Sequence, residues 1–386
     1  MKLQSFIKEI VIISIVLISQ GSVGQVPYER ILNASDEPQN WLTYNGGYMS
    51  QRYSLLDQIN RENVNQLELK WVLQNQVFGA WQSNPIIVDG VMYVTERPNS
   101  VMAVDSVTGR VYWKYRHQNA DNALVCCGAN NRGVAVLNDK VYMGTLDAHL
   151  VALDRVNGQL LWEAEVGDVN LAYSVTMAPL AVKDKILVGV GGGEFGIRGY
   201  VAAFNAETGE QAWKTYTIPG PGEANHDSWE GDDWEHGGAP VWITGSFDSD
   251  LNLTYWGVGN PGPDWNAGQR PGDNLYSDSA IALDADTGEL KWYFQFTPND
   301  AYDYDSVQVP VLADMEWRGE AKKVMMWANR NGYFYVLDRT NGQFLEGKPY
   351  VKVNWSSGLD ENGRPIPSPQ PEGMPTYPGN QGGTNW

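Results

Sequence analysis

Sulfur and positive charge are scarce in this chain of 386 residues. Its two cysteines, Cys126 and Cys127, are neighbours. A bond between adjacent residues closes no loop of chain, so a scaffold stapled by disulfides is excluded. On their own, the two sulfurs read as free or intermolecular thiols. Lysine and arginine number 27 against 46 acidic residues, a formal charge of −19. That balance argues against nucleic acid or anionic lipid as a partner and favours cationic partners or bound cations. No C-x-x-C-H motif is present, so the chain attaches no c-type haem of its own. No helical period of 3.6 residues runs through the sequence beyond residue 25. Nor does any apolar run beyond that point reach the roughly 20 residues that a membrane-crossing helix requires, which argues against stable membrane insertion.

What is present begins with an export signal. Lys2 and Lys8 precede an apolar stretch from Ile10 to Ile18, and small residues Ser22 and Gly24 stand just before Gln25. Residues 1–24 are therefore expected to be a secretory signal peptide, with 25–386 delivered to a bacterial periplasm, where a disulfide persists.

The second feature is a repeat. AVDSVTGRVYW (103–113) returns as ALDRVNGQLLW (152–162), AFNAETGEQAW (203–213) and ALDADTGELKW (282–292), with a decayed copy VLDRTNGQFLE (336–346). Each copy carries Asp or Asn four positions before a glycine, and all but the last carry Trp four positions after it. The acid or amide side chain caps its own turn, glycine supplies positive φ, and the Trp lies on the next strand. Short β-rich runs such as NPIIVDGVMYVT (84–95) precede the copies and break at two-residue turns, which makes each unit a four-stranded meander. The fold class is therefore all-β: a β-propeller of four-stranded blades, the repeated Trp docking each blade on its neighbour, with a stacked solenoid as the alternative.

Several motifs between and beside these units coincide: VCCGANNRG (125–133), VGGGEFGIRGY (190–200), WEHGGAPVWITGSFD (234–248), YWGVGNPGPDWN (255–266), RPGDNLYS (270–277), TPNDAYDYD (297–305) and NRNGYFYVLDRTNG (329–342). Together they resemble the quinoprotein alcohol dehydrogenases of the methanol and ethanol dehydrogenase type, which carry pyrroloquinoline quinone (PQQ) on an eight-bladed propeller. The resemblance implies a vicinal disulfide between Cys126 and Cys127, packed on one face of PQQ. Adjacent Cα atoms lie about 3.8 Å apart, below the usual disulfide range of roughly 4.4–6.8 Å, so such a ring is small and rigid.

The same resemblance implies the rest of the site. Trp242 stacks on the opposite face of the cofactor. Arg132 and Arg330 pair with its quinone and acid groups, Thr176 donates a hydroxyl, and the backbone of Gly191, Gly192 and Gly193 approaches a carboxylate. Asn385 is a further, less specific cofactor contact. Glu194, Asn260 and Asp303 hold a metal ion through oxygen, as a hard cation requires, and Asp303 also serves as general base. Asp305, two positions on, matches an acid associated with lanthanide-using members. A trivalent ion gains more from extra negative charge than a divalent one, so a lanthanide is favoured over calcium. If residues 303–305 were a strand, both carboxylates would point to one face.

Two features depart from the family. Gln82 stands where many members place a glutamate beside the cofactor. His226 and His236 flank the acidic run HDSWEGDDWEH (226–236), a composition that suggests zinc, but the HGG at His236 belongs to the family pattern. About five to six blades can be counted, so the expectation is a C-terminally truncated chain whose open ring exposes strand edges. The expected activity is oxidation of a small primary alcohol to an aldehyde, with electrons passing to a separate cytochrome c and a homodimer allowed. The alternatives are a non-catalytic propeller scaffold that binds protein, or an inactive fragment.

Overall fold

The computed structural model describes residues 24–79 and 81–368. Asn385 and all of the expected signal segment except Gly24 lie outside the described residues.

Within the described residues, the chain folds into five four-stranded antiparallel sheets followed by a two-stranded ribbon, Ser356–Leu359 with Pro365–Pro367. The sheets span residues 86–116, 135–165, 180–216, 246–295 and 311–349, and are called blades 1 to 5. In each, every strand pairs with its neighbours in sequence, the meander expected from the spacing of the turns. Asp89 and Gly90, which join the first two strands of blade 1, both have positive φ, the turn whose twist suits an antiparallel hairpin.

The burial pattern shows how the sheets stack. The second strand of blade 2, Lys140–Gly144, is buried along its whole length, whereas the fourth strand, Leu160–Glu165, is largely exposed. Inner strands are thus covered on both faces by neighbouring blades, and fourth strands form the outer rim. This explains why the inner strands read as continuous apolar runs rather than alternating ones.

The repeated Trp–Gly pair is the joint between blades. The indole N–H groups of Trp113, Trp162, Trp213 and Trp292 donate to the carbonyls of Arg155, Ala206, Ala285 and Arg339, each on the following blade. Each ring also lies flat against the repeat glycine of that blade. A Cβ on Gly158 would stand 2.5 Å from the Trp113 ring, and one on Gly288 would stand 2.5 Å from Trp213. Glycine therefore serves twice, once for positive φ in the turn and once as the floor on which the preceding indole rests. A further member was not evident from the repeat: Trp71, in a stretch without strands, donates to Ser106 O at 3.2 Å and packs on Gly109 of blade 1. In the decayed fifth copy, Glu346 stands in place of Trp and accepts from Arg318 instead.

Candidate active site

Six loops between blade strands, with Tyr44 and Gln82 from the segment before blade 1, converge on one cavity of about 570 Å³. Gln82, Cys126, Cys127, Arg132, Thr176, Gly191, Gly192, Glu194, Trp242, Asp303, Asp305 and Arg330, all singled out from the sequence, line it.

Cys126 and Cys127 are joined by a disulfide in the loop between blades 1 and 2. Arg132, at the end of that loop, donates to Thr176 Oγ1 at 2.8 Å, and its guanidinium lies 4.7 Å over the Trp242 ring. Three residues from three loops are thereby tied together. Burial pulls the Arg132 guanidinium below its ordinary pKa, with Tyr44 and Asp305 opposing the shift.

The triple glycine is shaped by its surroundings. Gly192 has φ +116°, and a Cβ there would fall 2.3 Å from Ala172 O, so no other residue fits. The Gly191 N–H is committed to Ser174 O at 2.8 Å. Gly193 sits behind the wall, against the ring of Pro240. Glu194, the next residue, opens to solvent and brings a carboxylate oxygen within 4.8 Å of both sulfurs.

Asp303 and Asp305 corrected one expectation. They do not lie on a strand; both have left-handed backbones, with φ +59° and +49°. The reason is the buried Asp300 carboxylate, which accepts the N–H groups of Tyr302 at 2.8 Å and Tyr304 at 2.7 Å and winds the chain into a compact loop. Both acids still face the one cavity. Asp305 Oδ1 accepts the Trp242 indole N–H at 3.2 Å and the Asn260 backbone N–H at 3.3 Å, while Oδ2 lies 3.5 Å from Arg330. So close is this packing that a Cβ on Gly259 would stand 2.7 Å from Asp305 Oδ1.

Asn260 lies behind the wall rather than on it. Its side-chain N–H donates to Asp264 Oδ1 at 2.8 Å, which fixes the donor end of the amide. His226 and His236 each turn Nδ1 to a backbone carbonyl, of Pro219 and Gly196. The wall residues Tyr44, Asn130, Ser174 and Ile243 were missed. Tyr44 and Ser174 lie outside the quoted motifs, and Asn130 and Ile243 lie within two of them beside better-marked residues; only the fold brings all four to the wall.

The electrostatics select for a cation. Burial, then the charge of Asp305, pushes Asp303 up to about 8. Burial pushes Asp305 up to about 6 against the pull of Arg330, and Glu194, though the residue as a whole is exposed, is raised by desolvation of its carboxyl on the cavity wall and then by the charge of Asp264. Three carboxyl groups that resist ionising together form an oxygen donor set which a divalent or trivalent ion would return to the charged state. A rigid disulfide and an indole beside two arginines also suit a flat, anionic ligand. The residues present therefore fit both PQQ and a hard cation.

The family model for the PQQ β-propeller domain of glucose, ethanol and alcohol dehydrogenases matches residues 41–365. The chain belongs to this family. It is 42% identical to the quinoprotein alcohol dehydrogenase PedH of Pseudomonas putida over 92% of this chain and 63% of that protein. It is 41% identical to the dehydrogenase subunit of the quinone alcohol dehydrogenase of Komagataeibacter europaeus, over 95% of this chain and 54% of the relative. The fold superposes on the solved quinohemoprotein alcohol dehydrogenase ADHIIG of Pseudomonas putida with a TM-score of 0.86 at 41% identity, covering 90% of this chain and 53% of that one. It superposes on a europium-containing methanol dehydrogenase with a TM-score of 0.85 at 38% identity, covering 89% and 64%. The chain thus spans roughly half to two thirds of the PQQ-dependent relatives it matches.

Proposed function

We propose that this PQQ propeller oxidises a small primary alcohol to an aldehyde, with Asp303 as the base. The observation that carries the proposal is the convergence of the Cys126–Cys127 disulfide, Trp242, two arginines and three carboxyl groups on one cavity. A propeller that served only to bind protein has no use for that set.

When bound, PQQ supplies a two-electron acceptor and the cation a Lewis acid. Everything else is the work of this chain. The disulfide and Trp242 would hold a flat ring between them, and Arg132, Arg330 and Thr176 would supply donors for its oxygens. The Gly191–Gly193 turn lets the wall approach closely. Glu194, Asp303 and Asp305 would offer the cation carboxylate oxygens from the wall, and Asn260, behind the wall with its N–H turned to Asp264, would offer its amide oxygen. Asp303 Oδ would take the proton of the alcohol hydroxyl as hydride leaves the adjacent carbon, the neighbouring cation keeping its carboxyl in the ionised form that a base requires. Asp305 is positioned by Trp242 and Asn260 to add a negative charge, which favours a trivalent lanthanide over calcium. Gln82, on the wall, would contact the cofactor through its amide without the charge of the glutamate that the resemblance places there, which alters cofactor affinity.

The same reading assigns residues 1–24 to export, the protein to the periplasm, and electron transfer to a separate cytochrome c whose basic surface suits the −19 charge of this chain. It assigns residues 25–386 to a partial propeller domain, and a homodimer is allowed. No helix among the described residues is long and apolar enough to cross a membrane.

The test is direct. Purified protein is mixed with PQQ and either calcium or a light lanthanide, its absorbance followed, and dye-linked alcohol oxidation measured. Cofactor uptake with alcohol-dependent dye reduction is the expected result. No uptake with either ion would leave the protein-binding scaffold as the better reading.

A further inference from the structure

Two of the four histidines meet outside this cavity, where blade 1 joins blade 2. His117 is the first residue after the outer strand of blade 1, Val111–Arg116. His149 opens the third strand of blade 2, His149–Asp154, and Glu163 lies on the fourth. Glu163 pairs with Val151, two residues beyond His149, so the two side chains share a face of the sheet. One ring nitrogen of each histidine and one Glu163 carboxylate oxygen all lie within 4.8 Å of one another.

Asp147 stands between the rings. It lies 2.9 Å from His117 Nε2 and 3.7 Å from His149 Nδ1, and it is held in place by the Thr145 hydroxyl at 2.6 Å and the Ala120 N–H at 2.9 Å. His149 Nδ1 is buried without a hydrogen-bond partner, and Nε2 of the same ring is 4.0 Å from Glu163 Oε1. His117 and Asp147 are buried, whereas the His149 and Glu163 side chains are 28% and 35% exposed. The cluster therefore has a fixed inner half and an outer half that solvent can reach.

We propose that His117, His149 and Glu163 bind a divalent transition-metal ion of the zinc class, with Asp147 as the carboxylate that orients the imidazoles. Two neutral imidazoles and two carboxylates balance a charge of +2. Imidazole nitrogen with carboxylate oxygen is a donor set that zinc accepts, and a carboxylate behind a ligating histidine is the usual support. Tetrahedral zinc, with bonds of about 2.0–2.1 Å, spaces its ligand atoms about 3.4 Å apart. The half-exposed His149 and Glu163 side chains need to close in by roughly 1 Å, within reach of small torsional changes. A proton on His149 would satisfy Asp147, but it cannot join all three ligands; a metal ion can. The bound ion would clamp blade 1 to blade 2 at the root of the loop that carries the disulfide.

The experiment is calorimetric titration of Zn²⁺ into the full chain, both with PQQ and calcium and without them, so that failure of cofactor uptake leaves the zinc readout intact. One zinc ion per chain is expected. His149→Ala and Glu163→Gln should each weaken it at least tenfold, and Asp147→Asn about 10–100-fold. Zinc should raise the thermal midpoint of the wild type and not that of His149→Ala. Glu163→Gln keeps the shape of a rim side chain, which guards against a trivial loss of fold. Substituting Co²⁺ should give visible absorption bands that His149→Ala abolishes. Absence of binding by the wild type, or equal binding by wild type, His149→Ala and Glu163→Gln, overturns the proposal. So does zinc binding lost in Asp303→Ala but kept in His149→Ala, since that places the ion in the cofactor cavity.

Discussion

The Trp242 indole N–H donates to Asp305 Oδ1 at 3.2 Å, so a single bond couples the ring that walls the cavity to an acid proposed to hold the ion. Trp242→Phe keeps the flat face but drops the donor. Weaker retention of the cation, with PQQ stacking largely kept, is the expected outcome, seen as a higher metal concentration for half-maximal activity at saturating PQQ.

Asp305 is the residue on which the choice of ion turns. Asp305→Ala should lose lanthanide-supported alcohol oxidation preferentially, because the trivalent ion depends more on the added charge. Unchanged lanthanide-supported activity in the variant would remove Asp305 from the metal site.

Reduction of Cys126–Cys127 should separate stability from function. The bond closes no loop, so dithiothreitol should leave denaturant unfolding within about 0.5 kcal/mol of the untreated protein. PQQ uptake should nevertheless fall, because the rigid platform is gone. Paired titrations, one by urea and one by cofactor, check both halves.

The blade joints predict a contrast between two glycines of similar φ, +73° at Gly158 and +84° at Gly222. Gly158→Ala drives a Cβ to 2.5 Å from Trp113 as well as straining the turn, and should cost about 2–4 kcal/mol. At Gly222 nothing lies within 4 Å, and only the backbone strain of about 1–2 kcal/mol remains. Equal losses in urea unfolding would show that the indole contact contributes nothing.

Behind the cavity, Asp278 and Asp300 are fully buried and both raised, chiefly by burial, with repulsion between them adding to Asp278. Asp278 Oδ2 has no donor of its own, an arrangement satisfied when it carries a proton and donates to Asp300. A carboxyl raised in the folded state binds its proton more tightly there than in the unfolded chain. Its stabilising effect is complete below the unfolded value near 4 and is lost as pH rises towards the folded value. Stability should therefore decline from acid to neutral pH through this pair. Asp278→Asn, which keeps a donor without the charge, should flatten that slope, as read from urea midpoints taken between about pH 5 and 8.

Much of this protein was legible in its linear order. The repeat with Asp or Asn, Gly and Trp at fixed spacing specified the blades, because each of those residues acts within one turn or across one joint. The disulfide and the acids were legible only through the resemblance that the motifs VCCGANNRG and AYDYD carry, since neither motif by itself says what its residues meet. Contacts between distant segments were not legible. Trp71 has a docking role that no repeat announced, and Asp303 and Asp305 share a cavity through a loop wound by Asp300 rather than through strand alternation. Likewise, His117 and His149 lie 32 positions apart, and nothing in either neighbourhood marks them as partners. Local propensity acts between residues a few positions apart, and the sequence alone decides it. Which blade face meets which loop depends on how whole sheets stack, and only the packed tertiary structure determines that.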